Sequence, residues 1–175
     1  KRMNELFDVE HRKNDAPMTK SELIEIMKRV DILVPCIADT IDAALLGQAG
    51  PQLKLIANFG AGFDNIDVST ALQRGILVSN TPGVAADDTA DMTMALMLGV
   101  TRRIPEGLRT MAKGNWTGWA PNAMLGGRVG GRRLGILGMG RIGQAVGRRA
   151  KAFGMQVHYH NRRRLRPEME QELEA

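Results

Sequence analysis

Three glycines spaced as G-x-G-x-x-G constrain this chain more than any other feature: Gly138, Gly140 and Gly143. An apolar run over residues 134–137 precedes them, and apolar residues at helical spacing follow over residues 142–153. This order predicts a strand, a tight turn and a helix, the context that a dinucleotide-binding glycine motif requires. The first glycine permits the turn, the second lets a pyrophosphate approach the backbone, and the third lets helix and strand pack closely. The helix N-terminus would offer N–H groups to the phosphates.

A second apolar run over residues 155–160 completes a predicted β-α-β unit. In NAD-binding folds of this kind, an acidic residue just after the second strand binds the ribose 2′-hydroxyl. Here that place holds Asn161, Arg162 and Arg163, followed by Arg164. No carboxylate would repel a 2′-phosphate, and guanidinium groups can bind one with paired hydrogen bonds. The sequence favours NADP over NAD; the alternative is a solvated basic loop.

The rest of the chain alternates predicted strands and helices. The first ten residues read as the end of a helix running into a short strand, and Thr19 and Glu22 form a capping box before a helix. The later predicted elements are strands at 31–37, 53–58 and 76–79, helices at 40–46 and 68–74, a long helical segment at about 85–112 that Pro105 kinks or restarts, and a loop at 114–131.

This alternation predicts an α/β fold with parallel sheets and two domains, over residues 1–85 and 86–175, linked by the long helix. A doubly wound dinucleotide domain usually has six strands, of which the second domain supplies two. On fold grounds we expect that domain to be cut short at Ala175. The start at Lys1 rather than Met similarly leads us to expect a missing upstream piece.

Charge and composition restrict the kinds of molecule that the chain is expected to bind. The net charge of +5 is concentrated late in the chain, and no aromatic residues interleave with it in a stacking pattern. An anionic cofactor is therefore favoured over nucleic acid; steep salt dependence of DNA binding would indicate the opposite. No apolar stretch approaches the roughly 20 residues that span a bilayer. We expect neither a nucleic-acid nor a membrane partner.

The single cysteine, Cys36, lies in an apolar run and is predicted to be a buried small hydrophobic residue. The sequence has no disulfide framework and no metal-ligand spacing, so no metal site is predicted and a reducing cytoplasm is the expected location. His11, His158 and His160 have no carboxylate at a spacing typical of an orienting partner, so none is predicted to be a catalytic acid.

Two further loops are candidates for chemistry. Backbone N–H groups of Ala61 and Gly62, just after a predicted strand, can form an anion-binding nest suited to a carboxylate. The alternative is a plain glycine-rich turn. Thr89 lies one turn into the long helix, where it could face a cofactor, although the acidic residues around it are also typical of a helix start.

Several separated motifs resemble one known family, the D-isomer-specific 2-hydroxyacid dehydrogenases, and within it the glyoxylate/hydroxypyruvate reductase branch. The resemblance runs from about Thr19 to the chain end. It rests on residues 58–67 (NFGAGFDNID), 75–83 (GILVSNTPG), 88–91 (DTAD) and 137–143 (LGMGRIG).

The resemblance implies a flavodoxin-like substrate domain and a Rossmann cofactor domain with the active site in the cleft between them. It implies that Ala61 and Gly62 bind a keto-acid carboxylate. It also implies that Trp119 matches a tryptophan that reaches into the partner subunit's active site, which suggests a homodimer. Motif and resemblance together assign the cofactor to Thr89, Gly138, Gly140, Arg141, Ile142, Gly143, Asn161, Arg162 and Arg163.

The family's catalytic Arg, Glu and His lie C-terminal to the segment matching Ala175. No catalytic residue is therefore assigned within this segment, and we expect either that the chain continues or that this part alone cannot turn over. The implied activity is reduction of glyoxylate to glycolate, or of hydroxypyruvate to D-glycerate, by hydride transfer from NADPH. The alternatives are an NAD-dependent enzyme for another small 2-keto acid and a non-catalytic nucleotide-sensing dimer.

Overall fold

The structure, a computed structural model, describes residues 2–14 and 16–175. Parallel strands joined by helices form both of its units. The chain divides into two units between Pro82 and Gly83. Each unit has its own parallel sheet, so the predicted α/β class is confirmed.

The first unit holds a three-stranded sheet in the order β1-β2-β3, with all strands parallel. Its elements are α1 (Arg2–Leu6), α2 (Lys20–Met27), β1 (Ile32–Leu33), α3 (Ala43–Leu46), β2 (Leu55–Ala57), α4 (Val68–Gln73) and β3 (Leu77–Ser79).

The capping box at the start of α2 is confirmed. The Thr19 hydroxyl accepts the Glu22 N–H at 3.3 Å, and the Glu22 carboxylate accepts the Thr19 N–H at 2.7 Å. Apolar side chains spaced along α2, including Leu23 and Met27, then pack with Ile56 of the central strand in the buried core. Helix and sheet therefore cover each other, as the alternating sequence predicts.

The predicted buried strand over residues 31–37 is wrong in its extent, and so is the predicted burial of Cys36. The strand ends at Leu33, and Cys36 is exposed. Beyond β1 the burial alternates, with Leu33 and Pro35 buried and Val34 and Cys36 exposed, and Cys36 pairs with Phe59 only as an isolated parallel bridge. The chain turns after Cys36, because the buried Asp39 carboxylate accepts the Cys36 N–H at 2.8 Å and the Asp39 N–H donates to the Cys36 carbonyl at 3.0 Å.

The predicted strand near the N-terminus is also wrong over the described part of residues 1–10; Lys1 lies outside the described residues. Helix α1 ends at Leu6, and no strand follows it up to Glu10. Residues 2–8 are all exposed, so this segment has no buried apolar face that a strand would cover.

The second unit pairs two parallel strands, β4 and β5, in register from Arg133 opposite Gln156 to Leu137 opposite His160. Its elements are α5 (Ala86–Thr101), α6 (Ile104–Ala112), β4 (Arg133–Leu137), α7 (Arg141–Ala152), β5 (Gln156–His160) and α8 (Pro167–Leu173). No helix in the described ranges, 2–14 and 16–175, is long and apolar enough to cross a membrane.

The long helical segment divides into α5 and α6, as its proline predicts. Arg103 adopts a left-handed conformation with φ of 57°, and Pro105 stands in the first turn of α6, where it needs no intrahelical hydrogen-bond partner for its nitrogen. Helix α5 packs on α7 through Ala90, Met94 and Val146.

Candidate functional sites

The glycine turn between β4 and α7 has the geometry that a dinucleotide site requires. Gly138 has a φ of 98°, which favours glycine. A Cβ on Gly143 would lie 2.4 Å from the Gly138 carbonyl oxygen, so only glycine lets α7 start this close to the turn. A Cβ on Gly140 would meet no atom within 4 Å. The backbone there faces open space, as it must where a ligand is to approach.

The N-terminus of α7 fits an anion. Gly140 is its N-cap, and no side chain of the described residues caps it. The N–H groups of the first turn, on Arg141 and Ile142 among others, are therefore available to a pyrophosphate, which the helix dipole also favours. An open groove of about 310 Å³ along β4 and α7 includes Gly138, Ile142 and Gly143 in its lining.

Asn161 is brought directly to this turn. Its Oδ1 accepts the Met139 N–H at 2.9 Å, and the neighbouring Gly138 N–H donates to the His160 carbonyl at 2.9 Å. A backbone N–H can only donate, so the bond fixes which end of the Asn161 amide faces the turn. The amide NH₂ group remains as a donor beside the site.

Arg162 and Arg163 follow Asn161 and are exposed. Neither makes a hydrogen bond or an ion pair with any residue that the structure describes, whereas Arg164 pairs with Glu170. Thr89 is exposed in the first turn of α5, and its side chain has no hydrogen-bond partner among the described residues.

The loop after β2 is held by two asparagine side chains. Asn58, which is buried, donates its side-chain N–H to the Gly62 carbonyl at 2.7 Å, and Asn80 donates to the Ala61 carbonyl at 2.8 Å. Neither the Ala61 nor the Gly62 N–H has an acceptor within the described ranges. With both carbonyls held and both N–H groups available, the loop can accept an anion such as a carboxylate.

Sequence reasoning missed the roles of Asn58 and Asn80. Both stand at the carboxyl end of a parallel strand, where ligand sites of α/β sheets lie, and that position was the available signal. Asn65 extends the network, because its side-chain N–H donates to the Asn58 Oδ1 at 3.3 Å and to the Asp39 carbonyl at 3.0 Å.

Replacing the buried Asn58 with alanine is expected to lower the free energy of unfolding by about 1–3 kcal/mol, since the Gly62 carbonyl and the Asn65 amide lose a partner. Any affinity of the loop for a carboxylate should fall as well, because the loop would no longer be fixed. Chemical denaturation and titration with a small carboxylate measure the two effects. Asn80→Ala, at the more exposed bond to Ala61, serves as the comparison and should cost less stability; an equal cost would contradict the role of burial.

Trp119 lies in the irregular segment 113–132 and is 85% exposed, so it is available for contact with another molecule. His158 and His160 lie on one exposed face of β5, and neither makes a side-chain hydrogen bond within the described part of the chain. The free thiol of Cys36 belongs to the first unit.

The fold and the glycine turn define an α/β protein that carries a dinucleotide-type β-α-β unit. The model of the D-isomer specific 2-hydroxyacid dehydrogenase catalytic domain matches residues 1–168, and the chain belongs to this family. The family resemblance seen in the separated motifs is thereby confirmed.

Relatives of known name agree with this assignment. A glyoxylate reductase of Korarchaeum cryptofilum (strain OPF8) is 46% identical over 173 residues, covering 98% of this chain and 52% of its own. The crystal structure of a D-isomer specific 2-hydroxyacid dehydrogenase, NAD-binding, from Polaromonas sp. JS6 66 is 39% identical with a TM-score of 0.90, covering 97% of this chain and 53% of its own.

An acyclic imino acid reductase (Bsp5) solved with NADPH and D-Arg is more distant, at 27% identity and a TM-score of 0.82, covering 94% of this chain and 52% of its own. The chain thus spans about half the length of the relatives it matches.

Proposed function

We propose that this chain forms part of an NADP(H)-dependent reductase of small 2-keto acids, converting glyoxylate to glycolate and hydroxypyruvate to D-glycerate. In this proposal residues 1–85 belong to the substrate-binding domain and residues 86–175 to the cofactor domain. The bound cofactor would supply the hydride. A reducing cytoplasm is the proposed location, supported by the single cysteine in 175 residues.

The observation that carries the proposal is the pairing of the glycine turn with Asn161, Arg162 and Arg163 in a chain 46% identical to a glyoxylate reductase. The available N–H groups at the start of α7 suit a pyrophosphate. The two arginines, which lack partners among the described residues, suit a 2′-phosphate. An NAD-binding site of this type would instead use an acidic residue after β5.

On the substrate side, Ala61 and Gly62 are proposed to bind the keto-acid carboxylate. Two adjacent N–H groups with no acceptor in the described chain support this role, and the bonds from Asn58 and Asn80 hold the loop in that form. Trp119 is proposed to contact substrate across a subunit interface.

The experiment that tests the proposal is NADPH oxidation by the purified protein, followed by loss of absorbance with glyoxylate or hydroxypyruvate, with NADH in parallel. Faster turnover with NADPH is expected. Faster turnover with NADH would favour the NAD-dependent alternative. NADPH binding without turnover of either keto acid would fit either a nucleotide-sensing protein or a segment that cannot turn over by itself.

A homodimer formed through the second unit is part of the proposal. Helices α5 and α6 carry exposed apolar side chains at helical spacing: Met92, Leu96, Val100, Ile104, Leu108 and Met111. Exposed apolar side chains clustered in this way commonly mark a protein–protein interface.

Replacing both Leu96 and Leu108, which are 62% and 65% exposed, with glutamate is expected to convert a dimer to a monomer. Two charges placed in an apolar interface would be desolvated without partners. Light scattering after size-exclusion chromatography gives the mass. Leu72→Glu, at an equally apolar exposed position on α4, is the matched control and should leave the mass unchanged. A dimer that survives the double substitution would place the interface elsewhere.

A further inference from the structure

The loop between β5 and α8 is anchored at both ends. At its start, Asn161 accepts the Met139 N–H at 2.9 Å. At its end, the Leu165 N–H donates to the Tyr159 hydroxyl at 3.0 Å. Only the residues between these anchors are left to meet a ligand, and two of them, Arg162 and Arg163, make no bond with the described residues.

A single carboxylate organises the second anchor. Glu170, on α8, is only 15% exposed and accepts a hydrogen bond from the Tyr159 hydroxyl. It also accepts from Arg164, whose Nε donates to Oε1 at 2.8 Å and to Oε2 at 3.1 Å and whose Nη2 donates to Oε2 at 2.8 Å. Tyr159 thus donates to Glu170 and accepts from Leu165, which uses both capacities of its hydroxyl.

The charge at this anchor is stable near neutral pH. The Arg164 guanidinium, and after it the Tyr159 hydroxyl, hold the pKa of Glu170 below its usual value. The carboxylate therefore stays ionised at neutral pH and keeps the two-bond pairing with Arg164, whose planar guanidinium matches it. Arg164, although 83% exposed, thus has its Nε and Nη2 groups engaged by Glu170, whereas the two arginines before it have no partner among the described residues.

We propose that Tyr159 and Glu170 are positioning residues for coenzyme selection: they fix the loop so that Arg162 and Arg163, rather than Arg164, meet an adenosine 2′-phosphate. This inference rests on the proposed NADP(H) function. It assigns coenzyme preference partly to two residues that do not touch the coenzyme. NADH lacks the 2′-phosphate, so its binding should not depend on this anchor.

The decisive variant is Tyr159→Phe, which keeps the ring in the core beside Met139 and Val157 and changes no charge. Removing the hydroxyl is expected to weaken NADPH binding about three- to tenfold, the equivalent of one lost hydrogen bond. NADH affinity should stay within about twofold. Calorimetric titration of both coenzymes into the purified protein measures the ratio directly.

Glu170→Gln is the second variant, and it tests the inference by itself if Tyr159→Phe does not fold. It should shift the NADPH-to-NADH ratio in the same direction. Glu172→Gln is its matched control, because Glu172 lies on the same helix and pairs with Arg148 of α7 instead of with the loop. The control should leave the ratio unchanged.

Equal weakening of both coenzymes would show a purely structural role and overturn the inference, as would an unchanged ratio in both variants. Tighter NADPH binding by Glu170→Gln would also overturn it, because Arg164 would then act as a phosphate ligand that Glu170 restrains. A wild-type protein with no preference for NADPH would overturn the proposed cofactor as well. A wild-type preference that the variants leave intact would overturn only the positioning role.

Discussion

Replacing Gly143 with alanine is expected to lower the free energy of unfolding by about 2 kcal/mol or more. The added methyl group would lie 2.4 Å from the Gly138 carbonyl oxygen and 3.3 Å from Ile136 Cγ2. Neither the turn backbone nor α7 at the buried Gly143 can yield without separating helix from strand. This loss of stability is expected even though alanine stabilises a helix by up to about 1 kcal/mol relative to glycine. Chemical denaturation without coenzyme measures it.

Gly140→Ala is the matched control, three residues earlier in the same motif. Its methyl group would meet no protein atom within 4 Å, and the backbone is extended there. We expect a stability loss of about 1 kcal/mol or less, the cost of alanine at an N-cap. NADPH affinity should nevertheless fall at least about tenfold, since the methyl group would occupy the space proposed for the pyrophosphate. Equal stability of the two variants would contradict the close packing at Gly143.

Replacing Arg162 and Arg163 together with alanine is expected to weaken NADPH binding by about tenfold to a hundredfold. Both guanidinium groups are exposed and have no partner in the described chain, so their removal disturbs no internal contact. Charge-assisted bonds to the 2′-phosphate would be lost, whereas NADH has no such group. NADH affinity should therefore stay within about threefold. Titration of NADPH and of NADH into the purified protein measures the two affinities.

Arg148→Ala controls for the general loss of positive charge. Arg148 is also exposed and belongs to the same unit, but it pairs with Glu172. We expect it to change NADPH affinity less than threefold. If the double variant itself stayed within threefold of wild type for NADPH, the assignment of Arg162 and Arg163 to the 2′-phosphate would be wrong.

The parts of the fold that local chemistry determines could be predicted from the sequence. The capping box at Thr19, the glycine turn at Gly138 and the helix restart at Pro105 each depend on residues close in the chain. The exposure of Cys36 could not be predicted in this way, because an apolar run does not reveal which of its alternating side chains face the core.

The candidate site likewise has parts that the sequence predicts and parts that depend on the folded structure. The glycines and the run from Asn161 to Arg163 are readable as a motif, since their spacing reflects a local β-α-β geometry. The parts played by Asn58 and Tyr159 depend on contacts with carbonyl, N–H and carboxylate groups several residues away, after the backbone has folded. Which of several adjacent arginines is already paired is likewise a tertiary property, as Arg164 and Glu170 demonstrate.

The bond from Met139 to Asn161 has an evolutionary consequence. The oxygen of Asn161 holds the glycine turn, while its NH₂ group is the part that differs from an aspartate. An aspartate at this position could accept the same backbone N–H and would add the negative charge typical of NAD-binding sites. A lineage could therefore exchange one coenzyme for the other at residue 161 without passing through a form whose glycine turn has lost its support.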